Sequence, residues 1–214
     1  MPSLVINEIY RTIAGEGSCA GLACTIVRLT GCNLRCTWCD TSYAYDDGRE
    51  MSIDEVLGDV KRLGEDMVLV TGGEPLLQGA TPALIERLCD AGCKVLLETN
   101  GSLDIDCVDP RVMRCVDIKC PGSGQGSSFR RDNLDCLRKT DEIKFILTGR
   151  DDYEFARELI EKYDLTSRCT VFMNPAAGLL EPAELAEWIL ADSMKTRLGL
   201  QLHKIIWPEV KRGV

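Results

Sequence analysis

Three thiols stand on one short stretch of this chain. Cys32-Asn33-Leu34-Arg35-Cys36-Thr37-Trp38-Cys39-Asp40 spaces them as Cys-x3-Cys-x2-Cys. A closed zinc site takes four ligands, normally from two separated pairs, so this set is too few and too tightly spaced unless a distant group such as His203 completes it. Three thiolates can instead hold three irons of a cubane and leave the fourth iron open. An open metal position is what a catalytic site keeps and a structural site closes. Downstream, Thr71-Gly72-Gly73-Glu74-Pro75 follows an apolar run. Gly72-Gly73 taken alone marks a turn at which backbone can approach a ligand closely.

These residues need a scaffold, and the apolar pattern supplies one. Ala23–Leu29, with branched Thr25, Ile26 and Val27, reads as a strand running directly into the thiol loop. Val5 to Arg11 reads as an edge strand or lead-in. Ser52 and Glu55 form a capping pair ahead of the helical stripe Ile53, Val56, Leu57 and Val60. Strands then follow at Met67–Val70, Val95–Leu97, Arg114–Ile118, Glu142–Leu147 and Cys169–Met173, with Leu200–Leu202 the last. Helices are expected from Thr81 to Gly92, Asp152 to Lys162 and Pro182 to Ala191. Strands alternating with helices at intervals of about 25 to 30 residues predict right-handed βαβ units and a parallel sheet.

About six strands are too few for a closed eight-stranded barrel. The fold class expected is α/β, a partial, open β/α barrel, as one domain over 1–214 with the thiol loop at 30–41. In such folds ligands gather beyond the carboxyl ends of the strands. The thiol loop, Gly72-Gly73, Glu98-Thr99-Asn100-Gly101, Lys119-Cys120-Pro121-Gly122, Asn174-Pro175 and His203-Lys204 all fall there. Pro121 to Asp132 lacks periodicity and reads as a mobile loop or lid, with plain disorder as the alternative.

Composition narrows the partners. Acidic residues outnumber basic ones 34 to 25, a net charge of -9, which opposes binding to nucleic acid or to an anionic membrane surface. A small-molecule substrate is expected. The start, Met1-Pro2-Ser3-Leu4-Val5, has no basic flank, and no apolar run approaches bilayer length, so the cytoplasm is the expected location. Twelve cysteines in a reducing compartment are expected as free thiols. Cys89, Cys107, Cys115, Cys120, Cys136 and Cys169 sit mostly among apolar neighbours and read as small hydrophobes. Cys19 with Cys24, Cys89 with Cys93, and Cys115 with Cys120 allow a second cluster as the alternative.

The thiol loop and Gly-Gly-Glu-Pro together resemble the radical S-adenosylmethionine enzymes. Glu8-Ile9-Tyr10, Ala14-Gly15-Glu16-Gly17, Val27-Arg28-Leu29, Gly31 to Cys36, Trp38 to Thr41, Glu98 to Gly101 and Gln201 to Lys204 resemble, in order and spacing, the 7-carboxy-7-deazaguanine synthase family. That resemblance implies a ring contraction of 6-carboxy-5,6,7,8-tetrahydropterin, with loss of ammonia, in queuosine or archaeosine precursor synthesis. It implies a 4Fe-4S cluster on Cys32, Cys36 and Cys39, with S-adenosylmethionine on Gly72, Gly73, Glu74, Asp117, Ile118, Lys119 and Asn174, Pro175, Ala176, Ala177. Pterin contacts are implied for Ile13, Ala14, Gly15, Glu16, Arg28, Thr71 and His203, and a Mg2+ position for Thr41. The family often has glutamine where Ala14 stands, so only a backbone contact carries over there. A flavodoxin or ferredoxin as electron donor and a homodimer are also implied.

Arg28 also suits its role physically, since a guanidinium captures a carboxylate bidentately. The alternatives are a strand arginine facing solvent, a turn hydroxyl at Thr41, and a surface or core histidine at His203. Two other functions compete: a glycyl-radical-enzyme activating enzyme, and a non-catalytic metal-binding module. The first shares the cluster but has no use for Glu16, Arg28 and Thr41 together.

Overall fold

The computed structural model describes residues 2–214, and among them nine strands form one sheet. β1 (Ser3–Ile13), β2 (Ala23–Leu29) and β3 (Arg49–Ser52) precede α1 (Ile53–Leu63) and β4 (Met67–Gly72). Then come α2 (Thr81–Asp90), β5 (Lys94–Thr99), β6 (Met113–Lys119), β7 (Glu142–Leu147), α3 (Arg150–Tyr163) and α4 (Leu165–Arg168). β8 (Thr170–Pro175), α5 (Pro182–Ala191), β9 (Arg197–Leu198) and α6 (Leu202–Ile206) complete the chain. The sheet order is β3-β1-β2-β4-β5-β6-β7-β8-β9, antiparallel over the first three strands and parallel from β2 onward. β3 and β9 are opposite edges, so the sheet is the open, partial β/α barrel that the strand spacing predicts.

Period-two alternation gives this sheet two different faces. Val27, Leu29, Val68, Val70, Val95 and Leu97 point outward and are buried with α1 and α2. Ile143, Phe145, Leu147, Val171 and Met173 do the same with α3 and α5. The opposite face starts apolar, with Cys24, Ile26, Leu69, Leu96 and Cys115. It turns polar toward the carboxyl ends, where Arg28, Thr71, Glu98, Asp117 and Lys144 follow at the next alternate positions. α1 is capped as its sequence requires: Ser52 Oγ accepts from Glu55 N (3.3 Å) and Glu55 Oε2 accepts from Ser52 N (2.7 Å).

Three expectations are corrected. β1 is interior rather than an edge, because Arg49–Ser52 pairs along it. That four-residue strand buries only Met51 and so carries no alternating signal. The last strand is Arg197–Leu198, paired with Phe172 and Met173, whereas Leu202 opens a helix and places His203 on it. The β5–β6 crossover has no helix and the β6–β7 crossover only short 3-10 turns; Ile105, Val108 and Val112 from the first and Leu134 from the second are buried instead. Among the described residues, no helix is long and apolar enough to cross a membrane.

Candidate active site

The thiol loop has no regular structure and is held by the segments that leave the neighbouring strands. Glu74 N donates to Gly31 O (2.8 Å), Asn33 Nδ2 to Ser102 Oγ (2.8 Å), and Thr37 N to Ser123 O (3.1 Å). The segment expected as a mobile lid is thereby tied to the loop: Pro121–Ser123 is a 3-10 turn whose Gly122 N donates to Asp152 Oδ1 (2.7 Å). Glycine is required where the loops cross. A Cβ at Gly72 would strike the Leu29 backbone, and one at Gly73 would strike the Gly31 carbonyl and Cys32 Cβ.

Cys32, Cys36 and Cys39 are free, half-buried, and line one cavity of about 1070 Å³. Burial raises the Cys32 and Cys36 thiols above their usual range, with the Lys119 ammonium pulling both back down. Cys32 Sγ accepts from Leu34 N (3.4 Å). Among the described residues no three His, Cys, Asp or Glu side chains converge tightly enough for a single ion. Three half-buried thiols of one loop facing one cavity are a donor set that fits three irons of a cubane, one short of the four ligands of a closed zinc site.

Glu74 does something other than line the cavity. Its carboxylate is fully buried and accepts from Leu76 N (3.0 Å), Thr99 Oγ1 (2.9 Å) and Asn100 N (2.7 Å), locking the turn after β4 to the one after β5. Burial raises its carboxyl, and these donors oppose the rise. Of the segments expected to hold the cofactor, Gly72, Gly73, Asp117, Lys119, Ala176 and Ala177 line the cavity. Ile118 packs in the outer core, and Asn174 and Pro175 are buried outside the lining. Two polar atoms of this wall, Asp117 Oδ1 and Trp38 Nε1, are buried without a hydrogen bond, whereas the unpaired Asn174 amide packs beside Gly199 outside the lining. A bound polar ligand would satisfy such atoms.

At the other end, Arg28 is 12% exposed in its side chain, donates from Nε to Glu8 Oε1 (2.7 Å) and from Nη2 to Tyr10 Oη (3.1 Å), and lies 5.9 Å from the Tyr43 ring centre. It is a half-buried, oriented cation with donors to spare, not a solvent-facing arginine. Ile13, Gly15, Glu16, Thr71 and His203 line the same space, whereas Ala14 is buried behind it and pins its loop through Ala14 N to Leu22 O (2.8 Å). His203 packs on Gly15 so closely that a Cβ there would collide with Nδ1. Burial lowers His203, against the pull of Glu16 and Asp40. Thr71 Oγ1 donates to Glu98 Oε2 (3.0 Å). Thr41 Oγ1 donates to Asp40 Oδ1 (2.9 Å), and Lys204 Nζ is 2.6 Å from Asp40 Oδ2. Burial would raise the Asp40 carboxyl, but Lys204 and Thr41 outweigh it and bring it to about 2.

Several residues of this cavity escape a motif reading. Lys144 sits inside an apolar strand, and only its alternate position signals an inward polar face. Tyr10 and Tyr43 are linked to the site through Arg28 and Glu8. The tail also returns: Arg212 lies 4.1 Å from the Tyr43 ring centre, and Trp207 and Val210 join the lining.

Comparison with known proteins agrees with this geometry. The Radical SAM superfamily matches residues 26–113. The chain is 46% identical to the 7-carboxy-7-deazaguanine synthase of Koribacter versatilis, covering 98% of this chain and 99% of that one. It is 44% identical to that of Chlorobaculum tepidum, covering 99% and 97%. In fold it is similar to the crystal structure of QueE from Escherichia coli, with TM-score 0.77, 24% identity and 93% and 94% of the two chains covered. With three thiols, a Gly-Gly turn and a half-buried arginine on one cavity, and this identity over nearly the whole length, the chain belongs to the 7-carboxy-7-deazaguanine synthase family of radical SAM enzymes.

Proposed function

We propose that this protein converts 6-carboxy-5,6,7,8-tetrahydropterin to 7-carboxy-7-deazaguanine and ammonia, as a single domain acting on a small molecule. The observation that carries the reading is the convergence of the three thiols, the Gly72-Gly73 backbone, Arg28 and Glu16 on one cavity at the carboxyl ends of the strands. Cys32, Cys36 and Cys39 would hold a 4Fe-4S cluster, which together with S-adenosylmethionine would supply the radical chemistry that starts the ring contraction.

The chain's own residues bind, orient and shield. Gly72 and Gly73 let backbone reach the methionyl end, and Glu74 fixes that turn from behind. Asp117, Lys119, Ala176 and Ala177 form the wall for the nucleoside part, with Ile118, Asn174 and Pro175 setting its backbone. Arg28 takes the substrate carboxylate. Ile13, the Ala14 and Gly15 backbone, Glu16, Thr71 and His203 face the pterin ring. Thr41 would hold a Mg2+ through its hydroxyl, a hard cation suited to oxygen ligands. The reductant is a flavodoxin or ferredoxin and the enzyme is a homodimer, in keeping with the resemblance of the motifs. A glycyl-radical activating function is disfavoured by a cavity that carries a half-buried, oriented cation suited to a carboxylate.

Anaerobic incubation of the reconstituted, reduced protein with carboxypterin and S-adenosylmethionine tests the reading. Deazaguanine product with equimolar ammonia is expected; cofactor cleavage with the pterin recovered intact would refute it. Two smaller effects follow. Gly73→Ala pushes a methyl into Gly31 and Cys32 and is expected to lower iron retention markedly, whereas Gly79→Ala, whose Cβ meets nothing within 4 Å, leaves iron content unchanged. Magnesium is expected to raise turnover in the wild type and to have no effect on Thr41→Ala, as a titration of initial rate against Mg2+ will show.

A further inference from the structure

β7 carries charge inside an apolar run. Ile143, Phe145 and Leu147 pack outward, while Lys144 turns to the cavity and is 5% exposed. A buried ammonium is unfavourable unless paired. Two carboxylates pair it: Glu16, in direct ion-pair contact from the loop after β1, and Asp117 Oδ2 at 3.7 Å, from its register partner on β6. The other Glu16 oxygen accepts from Gln201 Nε2 (2.7 Å). A carboxylate offers about four lone-pair positions. Lys144 takes one on Oε2 and Gln201 one on Oε1, which leaves one on each oxygen. That remaining pair matches two adjacent N–H donors, such as the 2-amino and ring N–H groups of an aminopyrimidinone.

We propose that Lys144 is a positioning residue that holds the Glu16 carboxylate turned, so that its two free lone pairs read the aminopyrimidinone edge of the substrate. Through Asp117 it also ties that subsite to the wall assigned to the cofactor. The inference rests on the reading of Glu16 as a pterin contact given above. Gln201 belongs to the same clamp from the tail side.

The test uses cluster-loaded, unreduced protein with S-adenosylmethionine present. Binding of 6-carboxytetrahydropterin and of its analogue lacking the 2-amino group is measured, alongside turnover after reduction. Lys144→Met keeps the chain length and removes the charge. It is expected to weaken substrate binding by at least about tenfold, the scale of losing one charge-assisted contact, to raise KM more than it lowers kcat, and to abolish discrimination against the analogue. Lys144→Arg should restore discrimination, which a merely structural role does not explain. If Lys144→Met fails to fold, Lys144→Gln carries the same comparison. Glu16→Gln separates the two ideas. Unchanged discrimination in the Lys144 variant with lost binding in Glu16→Gln overturns the clamp alone; unchanged binding in Glu16→Gln overturns the pterin role of Glu16 itself.

Discussion

Cys36→Ala is expected to abolish reductive cleavage of S-adenosylmethionine, not merely to slow it. In the proposed function each loop thiolate would hold a different iron, so alanine would leave one iron without its protein ligand. Among the described residues no other thiol lines the cavity. Cys24, Cys115, Cys120 and Cys169 are buried, and burial pushes their thiols up, to about 11 for Cys24 and Cys169 and well above the usual value for Cys115 and Cys120. A neutral buried thiol is inert toward iron. Iron and sulfide content, together with 5'-deoxyadenosine formed after reduction, check the prediction. Cys107→Ala, at an exposed cysteine outside the cavity lining, should leave both at wild-type levels. Full cleavage by Cys36→Ala would remove the loop from the centre of the reaction.

Arg28→Ala is the second large effect, and it should separate binding from cofactor chemistry. Arg28 is held by Glu8 and Tyr10 and lies at the face of Tyr43, so its guanidinium is oriented before substrate arrives. Truncating one partner of a desolvated charge pair costs about 2 to 3 kcal/mol, which is roughly 30- to 150-fold in affinity. Carboxypterin binding should fall by that factor while S-adenosylmethionine cleavage in the absence of pterin is retained. Arg28→Lys should recover only part of the loss, because an ammonium lacks the planar fork. Pterin affinity that is unchanged in Arg28→Ala would place the substrate carboxylate elsewhere.

The parts of this molecule that were legible in sequence are those written by local patterns. Ala23–Leu29, Glu142–Leu147 and Pro182–Ala191 lie at the expected bounds, because branched apolar runs and a proline at a helix start are strong local signals. The thiol loop and Gly72-Gly73 were legible because their spacing is itself chemical. β3 was not, since Arg49–Ser52 takes its strand geometry from pairing with β1 rather than from its own composition. β9 is two residues long and depends on Gly199 approaching Asn174.

Glu74 shows a subtler limit. Sequence marks it as an acid near a ligand, and only the fold reveals that its oxygens are consumed by Thr99, Asn100 and Leu76. Lys144 shows the reverse case. One lysine in a strand carries no motif, yet Glu16 on a distant loop and Asp117 on the next strand converge on it. Long-range pairing of this kind is invisible to any window along the chain.

The central claim is that three thiolates of one loop mount a cubane whose fourth iron is open to S-adenosylmethionine. Mössbauer spectroscopy of the iron-57 reconstituted protein, with and without S-adenosylmethionine, measures this directly. About four irons per chain are predicted, with one iron site changing its parameters when the cofactor is added and the other three unaffected. Zinc in place of iron, or a cluster whose spectrum is indifferent to S-adenosylmethionine, would contradict the account.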